Sequence, residues 1–295
     1  MTALKGWLVA LSVSDAPDRA RLGLPAREVD RALFSICTVL VRAGAKIVYA
    51  GNLDPKGLTF SMFRHLAGAY SSGSEAPFIH IVPEPILRGA SFVEFNNALR
   101  EGASVVKTLI HFQNALLLAR SVDDGLRIGE GPSRIRLADD EQFRAWLGLV
   151  KAVETATAYS SARKAVTGLS NARILLGGKM GLLDNPQDAY LGAMPGIVEE
   201  AIFALESGLP CIPLGAFGGA SRDVAIALNI LPQRMRIPRG AQLPTYDMSL
   251  KSVTQLRDRI PAQLRKTLSA LADDDRSEAM AYDVARTLNE WIDLR

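Results

Sequence analysis

Three glycine-bearing turns, each following an apolar and largely β-branched run, carry most of the residues in this chain that could do chemistry. They are Gly51-Asn52 after Ile47-Val48-Tyr49-Ala50, Gly177-Gly178-Lys179 after Ile174-Leu175-Leu176, and Gly215-Ala216-Phe217-Gly218-Gly219 after Ile212-Pro213-Leu214. Glycine lets backbone amides come close to an anion, and a helix that follows aims its positive dipole end at the same point. In a parallel α/β sheet such turns share the carboxyl edge of the strands, where ligands bind. A fourth element, Pro195-Gly196-Ile197-Val198-Glu199-Glu200, has the proline and early acids of a helix start. The pattern predicts a pocket for a nucleotide or sugar phosphate.

Further candidates flank these turns. Ser12, Ser14 and Asp15 end the first apolar run, where hydroxyls can meet phosphate or ribose. Gly57 and Thr59 complete the loop after Gly51 and Asn52, and Arg163-Lys164 stand near the end of a helical stretch ahead of Gly177. An arginine there would offer a bidentate phosphate contact. Glu199 or Glu200, at a helix N-terminus, stays ionised and suits a hydroxyl acceptor or base. Each of these features also has a plain structural account, as an Asx turn, a cap or a charge placed to suit a helix dipole.

Several chemistries are disfavoured. Lys179 follows two glycines without P-loop spacing and without Ser or Thr directly after it. His65, His80 and His111 are scattered, with no His-Glu-x-x-His and no paired cysteines, so no metal site is expected. There is no Gly-x-Ser-x-Gly elbow for a serine hydrolase and no strict Gly-x-Gly-x-x-Gly for a nicotinamide cofactor. No resident cofactor is expected.

The elements that must position these residues read as a β-α-β-α-β opening: strand 6–13, helix 25–42, strand 46–50, a helix from Thr59 as its cap, and strand 78–82. That order predicts a parallel sheet with right-handed crossovers. Residues 105–112 read as a further strand, 121–136 as a loop or small hairpin, and 139–169 as one long amphipathic helix. Strand 173–177, helix 195–207, strand 210–215 and helix 219–228 follow. Pro232, Pro238 and Pro244 mark a connecting segment before helices over 249–271 and 276–294. The expected fold is α/β, a Rossmann-like parallel sheet with helices on both faces. Residues 1–245 form the Rossmann-like domain and 246–295 a C-terminal helical extension.

Composition narrows the partners. The net charge of +3 balances 34 basic against 31 acidic residues, too mild and too dispersed for nucleic acid. No apolar run approaches the roughly 20 residues of a membrane span. Cys37 and Cys211 sit in apolar runs and read as buried, reduced thiols, which suits a cytoplasmic setting.

Taken together, Leu11-Ser12-Val13-Ser14-Asp15, Leu22-Gly23-Leu24, the stretch from Ile47 to Leu53 and Gly57-Leu58-Thr59 resemble the opening of the SLOG superfamily. Gly177-Gly178-Lys179, Tyr190-Leu191-Gly192, the 195–200 segment and the 215–219 turn are similar to its closing motifs. The resemblance spans roughly residues 6–228. It groups the chain with the DNA-processing protein DprA and the LOG phosphoribohydrolases, nearest the sensor branch of bacterial conflict systems. It implies a domain that binds a nucleotide-derived ligand such as ADP-ribose or a cyclic nucleotide. A nucleotide-type small molecule is then the partner, with a homo-oligomer or a separate effector protein giving the output. For a LOG-like N-glycosidase, the alternative, the resemblance puts Arg163 and Glu200 on the catalytic arginine and glutamate. The full Pro-Gly-Gly-x-Gly-Thr loop of those enzymes is absent, since Ile197 follows Pro195-Gly196 at once. Ala50 and Asn52 also replace the Gly and Asp usual in the sensor branch.

Overall fold

A computed structural model of the 295-residue chain describes residues 4–70 and 75–294. In chain order the elements are β1 (Leu8–Ser14), α1 (Ala26–Arg42), β2 (Lys46–Ala50), α2 (Leu58–Tyr70), β3 (Phe78–Pro83), α3 (Glu84–Gly89) and α4 (Phe92–Gly102). Then come β4 (Val106–Phe112), β5 (Ala115–Val122), β6 (Gly125–Ile128), β7 (Ile135–Leu137), α5 (Asp140–Gly148), α6 (Thr155–Leu169) and β8 (Ala172–Gly177). The last are α7 (Gly196–Glu206), β9 (Cys211–Leu214), α8 (Gly219–Ala227), α9 (Pro244–Gln255), α10 (Arg265–Ala272) and α11 (Ser277–Asp293). The fold is α/β and Rossmann-like, and it divides into two compact units, residues 1–45 with 167–295 and residues 46–166.

In the first unit β1, β8 and β9 run parallel, with Ser14 beside Gly177 and Leu176 beside Leu214, so their carboxyl ends are level. Every residue of β8 and β9 is buried, as expected for strands covered on both faces. Helix α1 buries Val29, Ala32, Leu33, Ile36, Cys37 and Leu40, a stripe at helical spacing. It stops at Ala43-Gly44, where Gly44 takes a φ of 92°. Helix α11 packs against α1 and buries Met280, Val284, Leu288 and Trp291. Residues 246–294 therefore fall within the first unit.

In the second unit β2, β3 and β4 are parallel, and β4 to β7 continue as an antiparallel meander. The meander is the part that the reading of 121–136 left open. Gln113 and Asn114 link β4 to β5 with φ of 54° and 58°, the left-handed pair that a two-residue hairpin needs. Phe95, Phe112, Phe143, Ile110 and Leu126 form its core.

The single helix expected over 139–169 is two, α5 and α6. The Arg88 guanidinium takes the carbonyls of Leu147 (2.8 Å) and Val150 (3.0 Å), which a continuing helix would have used for its own ladder. The Glu154 carboxylate then accepts from the Ala156 and Thr157 amides, starting α6 afresh. The helix expected over 249–271 is likewise interrupted between Gln255 and Arg265, a stretch that includes Pro261. Its first part begins earlier, at Pro244, where a connecting segment was expected. Thr59 lies inside α2, one residue past its start, and is buried. Among the described residues no helix is long and apolar enough to cross a membrane.

Candidate functional site

At the level ends of β1, β8 and β9 the chain makes its closest backbone approaches. Gly177 and Gly178 have φ of 68° and 113°, and Gly218 and Gly219 have φ of 79° and 67°, all in the region that glycine alone enters freely. A Cβ on Gly219 would lie 2.6 Å from the carbonyl oxygen of Gly178, and one on Gly178 would lie 2.8 Å from Ile197 Cδ1 and 2.9 Å from Ala220 Cβ. The Gly178 amide donates to the Ser14 carbonyl (3.1 Å), and the Ala220 amide to the Gly178 carbonyl (3.1 Å). The structure thus brings Ser14, Gly177, Gly178, Ile197, Gly218 and Gly219 together on one edge. Here the glycines serve close packing between turns, and these amides already have acceptors inside the molecule. The start of α7 belongs to the same cluster through Ile197, and Pro195 takes its N-cap position without a side-chain cap bond. By helix geometry the amides of Gly196, Ile197 and Val198 have no acceptor within α7, and they carry the positive end of its dipole.

The other expected site residues of this unit have specific occupations. The Ser12 hydroxyl accepts from Arg173 Nη1 at 2.8 Å, and the exposed Asp15 pairs with Arg19 at 2.6 Å. Lys179 Nζ donates to the Ala189 carbonyl at 2.8 Å, pinning the loop that follows β8. The buried Asp188 carboxylate holds the same loop by accepting from the Met180 and Leu182 amides, the latter at 2.8 Å. Gly215 accepts from Arg222 Nη1 at 2.9 Å, Phe217 is wholly buried, and Glu199 is buried in the first turn of α7. Glu200 Oε2 lies 3.6 Å from Nη1 of Arg173, which is itself completely buried in β8. Arg173 also donates to Thr167 Oγ1 at 3.0 Å. The Glu200 carboxylate and the Ser12 and Thr167 hydroxyls are thus among the groups that answer this buried cation. Burial in the same core pushes the Cys211 thiol up to about 12, so it is no nucleophile at neutral pH.

Gly51, Asn52, Gly57, Thr59, Arg163 and Lys164 lie in the second unit. Asn52 Oδ1 accepts from the Asp54 amide at 3.3 Å, and the Gly57 amide donates to the Asp54 carbonyl at 2.9 Å, so the loop is a turn closed on itself. Gly51 has no room for a Cβ, which would collide with the Thr59 hydroxyl and lie 2.7 Å from the Tyr49 ring. In α6 the Arg163 guanidinium sits 5.7 Å from the Tyr159 ring centroid, and Lys164 is exposed.

The sequence reading missed a buried cluster beside the Gly218-Gly219 turn. Asp18 Oδ1 accepts from the Gly219 amide at 2.7 Å. Arg239 pairs with Asp223 and lies 3.7 Å from Asp18 Oδ2. The Tyr246 hydroxyl donates to Asp223 at 2.7 Å, and the Arg239 guanidinium lies over the Tyr246 ring. All four side chains are nearly or fully buried. Burial raises the Asp18 carboxyl above its ordinary range, against the lowering effects of the Gly219 amide and Arg239. Burial, with the neighbouring Asp223 charge, raises Tyr246 well above 10. A lone charge inside an apolar strand, Arg173 in Ala172-Arg173-Ile174-Leu175-Leu176, was the one visible sign that buried ion pairs exist here.

No curated protein and no solved structure matches the chain. A family model does, over residues 3–239, and its description is SLOG cluster2. With the parallel strands, the converging glycine turns and a match over most of its length, the chain belongs to the SLOG family.

Proposed function

We propose that this protein binds a nucleotide-derived ligand through a phosphate group at the carboxyl edge of β1, β8 and β9, and acts as a sensor. The observation that carries the reading is the meeting of the Gly177-Gly178 turn, the Gly218-Gly219 turn and the α7 start in a chain of the SLOG family. The first amides of α7, with the dipole behind them, are where a phosphate gains most. Binding is favoured over N-glycosidic cleavage because Glu200, the carboxylate such a reaction would use, already faces the buried Arg173 at 3.6 Å. As a sensor the protein passes its signal to a separate effector or through self-association, in a reducing cytoplasm that suits its two buried free thiols.

A thermal-shift screen of ADP-ribose, cyclic nucleotides, NAD and nucleoside monophosphates tests this. A true ligand at 100 times its dissociation constant adds about 2.7 kcal/mol of apparent stability. Absence of stabilisation by every member of the panel contradicts the reading. Release of free base from NAD or a nucleoside monophosphate, abolished by Glu200→Ala, would instead establish the glycosidase.

A further inference from the structure

We infer that the Gly218-Gly219 turn is a phosphate subsite held shut by the protein's own Asp18 carboxylate, and that Arg239 is the cation which a ligand phosphate takes over. The inference rests on the nucleotide-binding reading above and adds residues and a regulatory step to it.

Asp18 sits where an anion belongs. Its Oδ1 accepts from the Gly219 amide at the first residue of α8, and a Cβ on Gly218 would come within 2.5 Å of that oxygen. A helix start with a nearby guanidinium is the donor set that phosphate uses. The carboxylate fills it incompletely. Asp18 Oδ2 is buried and has no hydrogen-bond donor among the described residues, and Arg239 Nη1 lies 3.7 Å from it. Two carboxylates, Asp18 and Asp223, share one guanidinium in a place where an uncompensated charge is costly. A phosphate replacing Asp18 has oxygens enough for both the Gly219 amide and Arg239. Asp223 then keeps the Tyr246 hydroxyl, and Asp18 moves to solvent with the loop between β1 and α1.

The loop after β8 is held by a separate piece of chain. The Leu243 amide donates to the Gly181 carbonyl (3.0 Å), the Leu183 amide to the Ala241 carbonyl (2.9 Å), and Gln242 Nε2 to the Met180 carbonyl (3.2 Å). The family match ends at residue 239, so the segment that lies across the loop after β8 follows the matched region. The remainder of a nucleotide also has a place. A cleft of about 380 Å³ shares Asp223 with the cluster and is lined by Ile226, Leu250, the basic Arg236, Lys251 and Arg257 and the acidic Asp247, which pairs with Arg236.

Isothermal titration of the full chain with inorganic pyrophosphate and with ADP-ribose, at fixed ionic strength, tests the inference. Asp18→Ala should bind pyrophosphate about tenfold more tightly than wild type, or better, because the internal competitor is gone. Asp18→Ala/Arg239→Gln should lose that gain. Should Asp18→Ala fail to fold by circular dichroism, Asp18→Asn removes the charge while keeping an acceptor for Gly219, and must still bind pyrophosphate more tightly than wild type. A folded Asp18 variant with no gain overturns the inference, as does a gain that survives loss of Arg239. ADP-ribose binding equal in wild type and Asp18→Ala overturns the occlusion alone and leaves the nucleotide reading standing. Pyrophosphate binding gained without any ADP-ribose binding supports the occluded subsite and counts against ADP-ribose as the ligand. No binding of either probe by any form overturns both.

Discussion

Two buried arginines of the first unit, Arg173 and Arg239, solve the same problem in opposite ways. Arg173 lies in the middle of the parallel strands, and the Glu200 carboxylate and the Ser12 and Thr167 hydroxyls are among the groups around it. Arg239 lies at the strand ends and is shared by two carboxylates, one of which has a buried oxygen without a hydrogen-bond donor. The Arg173 group lies inside the sheet, where buried charges anchor a fold. At the proposed ligand edge, two carboxylates on one cation leave an excess of negative charge. Glu200, which the family resemblance marks for catalysis, belongs to the Arg173 group, and Asp18 and Arg239, which no motif marks, belong to the other.

The largest expected effect breaks the Arg173 group. Arg173→Met removes the buried cation beside Glu200 and should cost about 3–5 kcal/mol in urea unfolding. Arg173→Met/Glu200→Leu should recover much of that, since two apolar groups replace two charges. A loss below about 1 kcal/mol in the single variant would show that Arg173 is no anchor.

A buried group without a charge partner supplies the control. Burial pushes His80 down to about 4, with its contact to the Gly51 carbonyl (3.4 Å) partly opposing. The unfolded chain takes up this proton near pH 6.5, before the folded protein does. The contribution of His80 is therefore complete above pH 6.5 and lost as pH falls toward 4, on the order of 3 kcal/mol in all. His80→Phe should flatten the unfolding free energy over that window.

Next in size is Gly219→Ala. The φ of 67° alone costs about 1–2 kcal/mol for a side chain, and the contact at 2.6 Å with the Gly178 carbonyl oxygen should add to it. A cost confined to the conformational part would mean that the turn faces open space rather than its neighbour.

The smallest effect, and the one that most sharpens the contrast, is Asp18→Asn. With its folded pKa raised, the Asp18 carboxyl holds its proton above pH 3.8 while the unfolded chain has released it. Its effect on stability therefore worsens as pH rises from about 3.9, opposite in sign to His80. Asp18→Asn should change stability at pH 7 by less than about 1 kcal/mol, in either direction, and remove that slope. A large loss at pH 7 would place Asp18 with Arg173 among the anchors.

Much of this fold was legible in the sequence. Apolar runs marked β1, β2, β3, β8 and β9, with glycine at the ends of β2, β8 and β9, and apolar spacing marked α1 and α7. Where long-range contacts decide, local patterns failed. Arg88, some 60 residues away in sequence, ends α5 by taking its carbonyls, and a pair of left-handed residues, Gln113 and Asn114, turns β4 back into a meander. The site divides in the same way. The glycine turns that meet at Gly178 and Gly219 could be read from their spacing. The Asp18, Asp223, Arg239 and Tyr246 cluster could not, because its members are ordinary polar residues up to 228 positions apart that gain their meaning only from burial.

The most direct test of the ligand edge is a backbone-amide NMR titration of the full chain with ADP-ribose. Saturable shifts at Gly196, Ile197, Gly218 and Gly219, with Arg239 following, are the expected result. Saturable binding that leaves those amides unmoved, and shifts only residues elsewhere, would contradict the account.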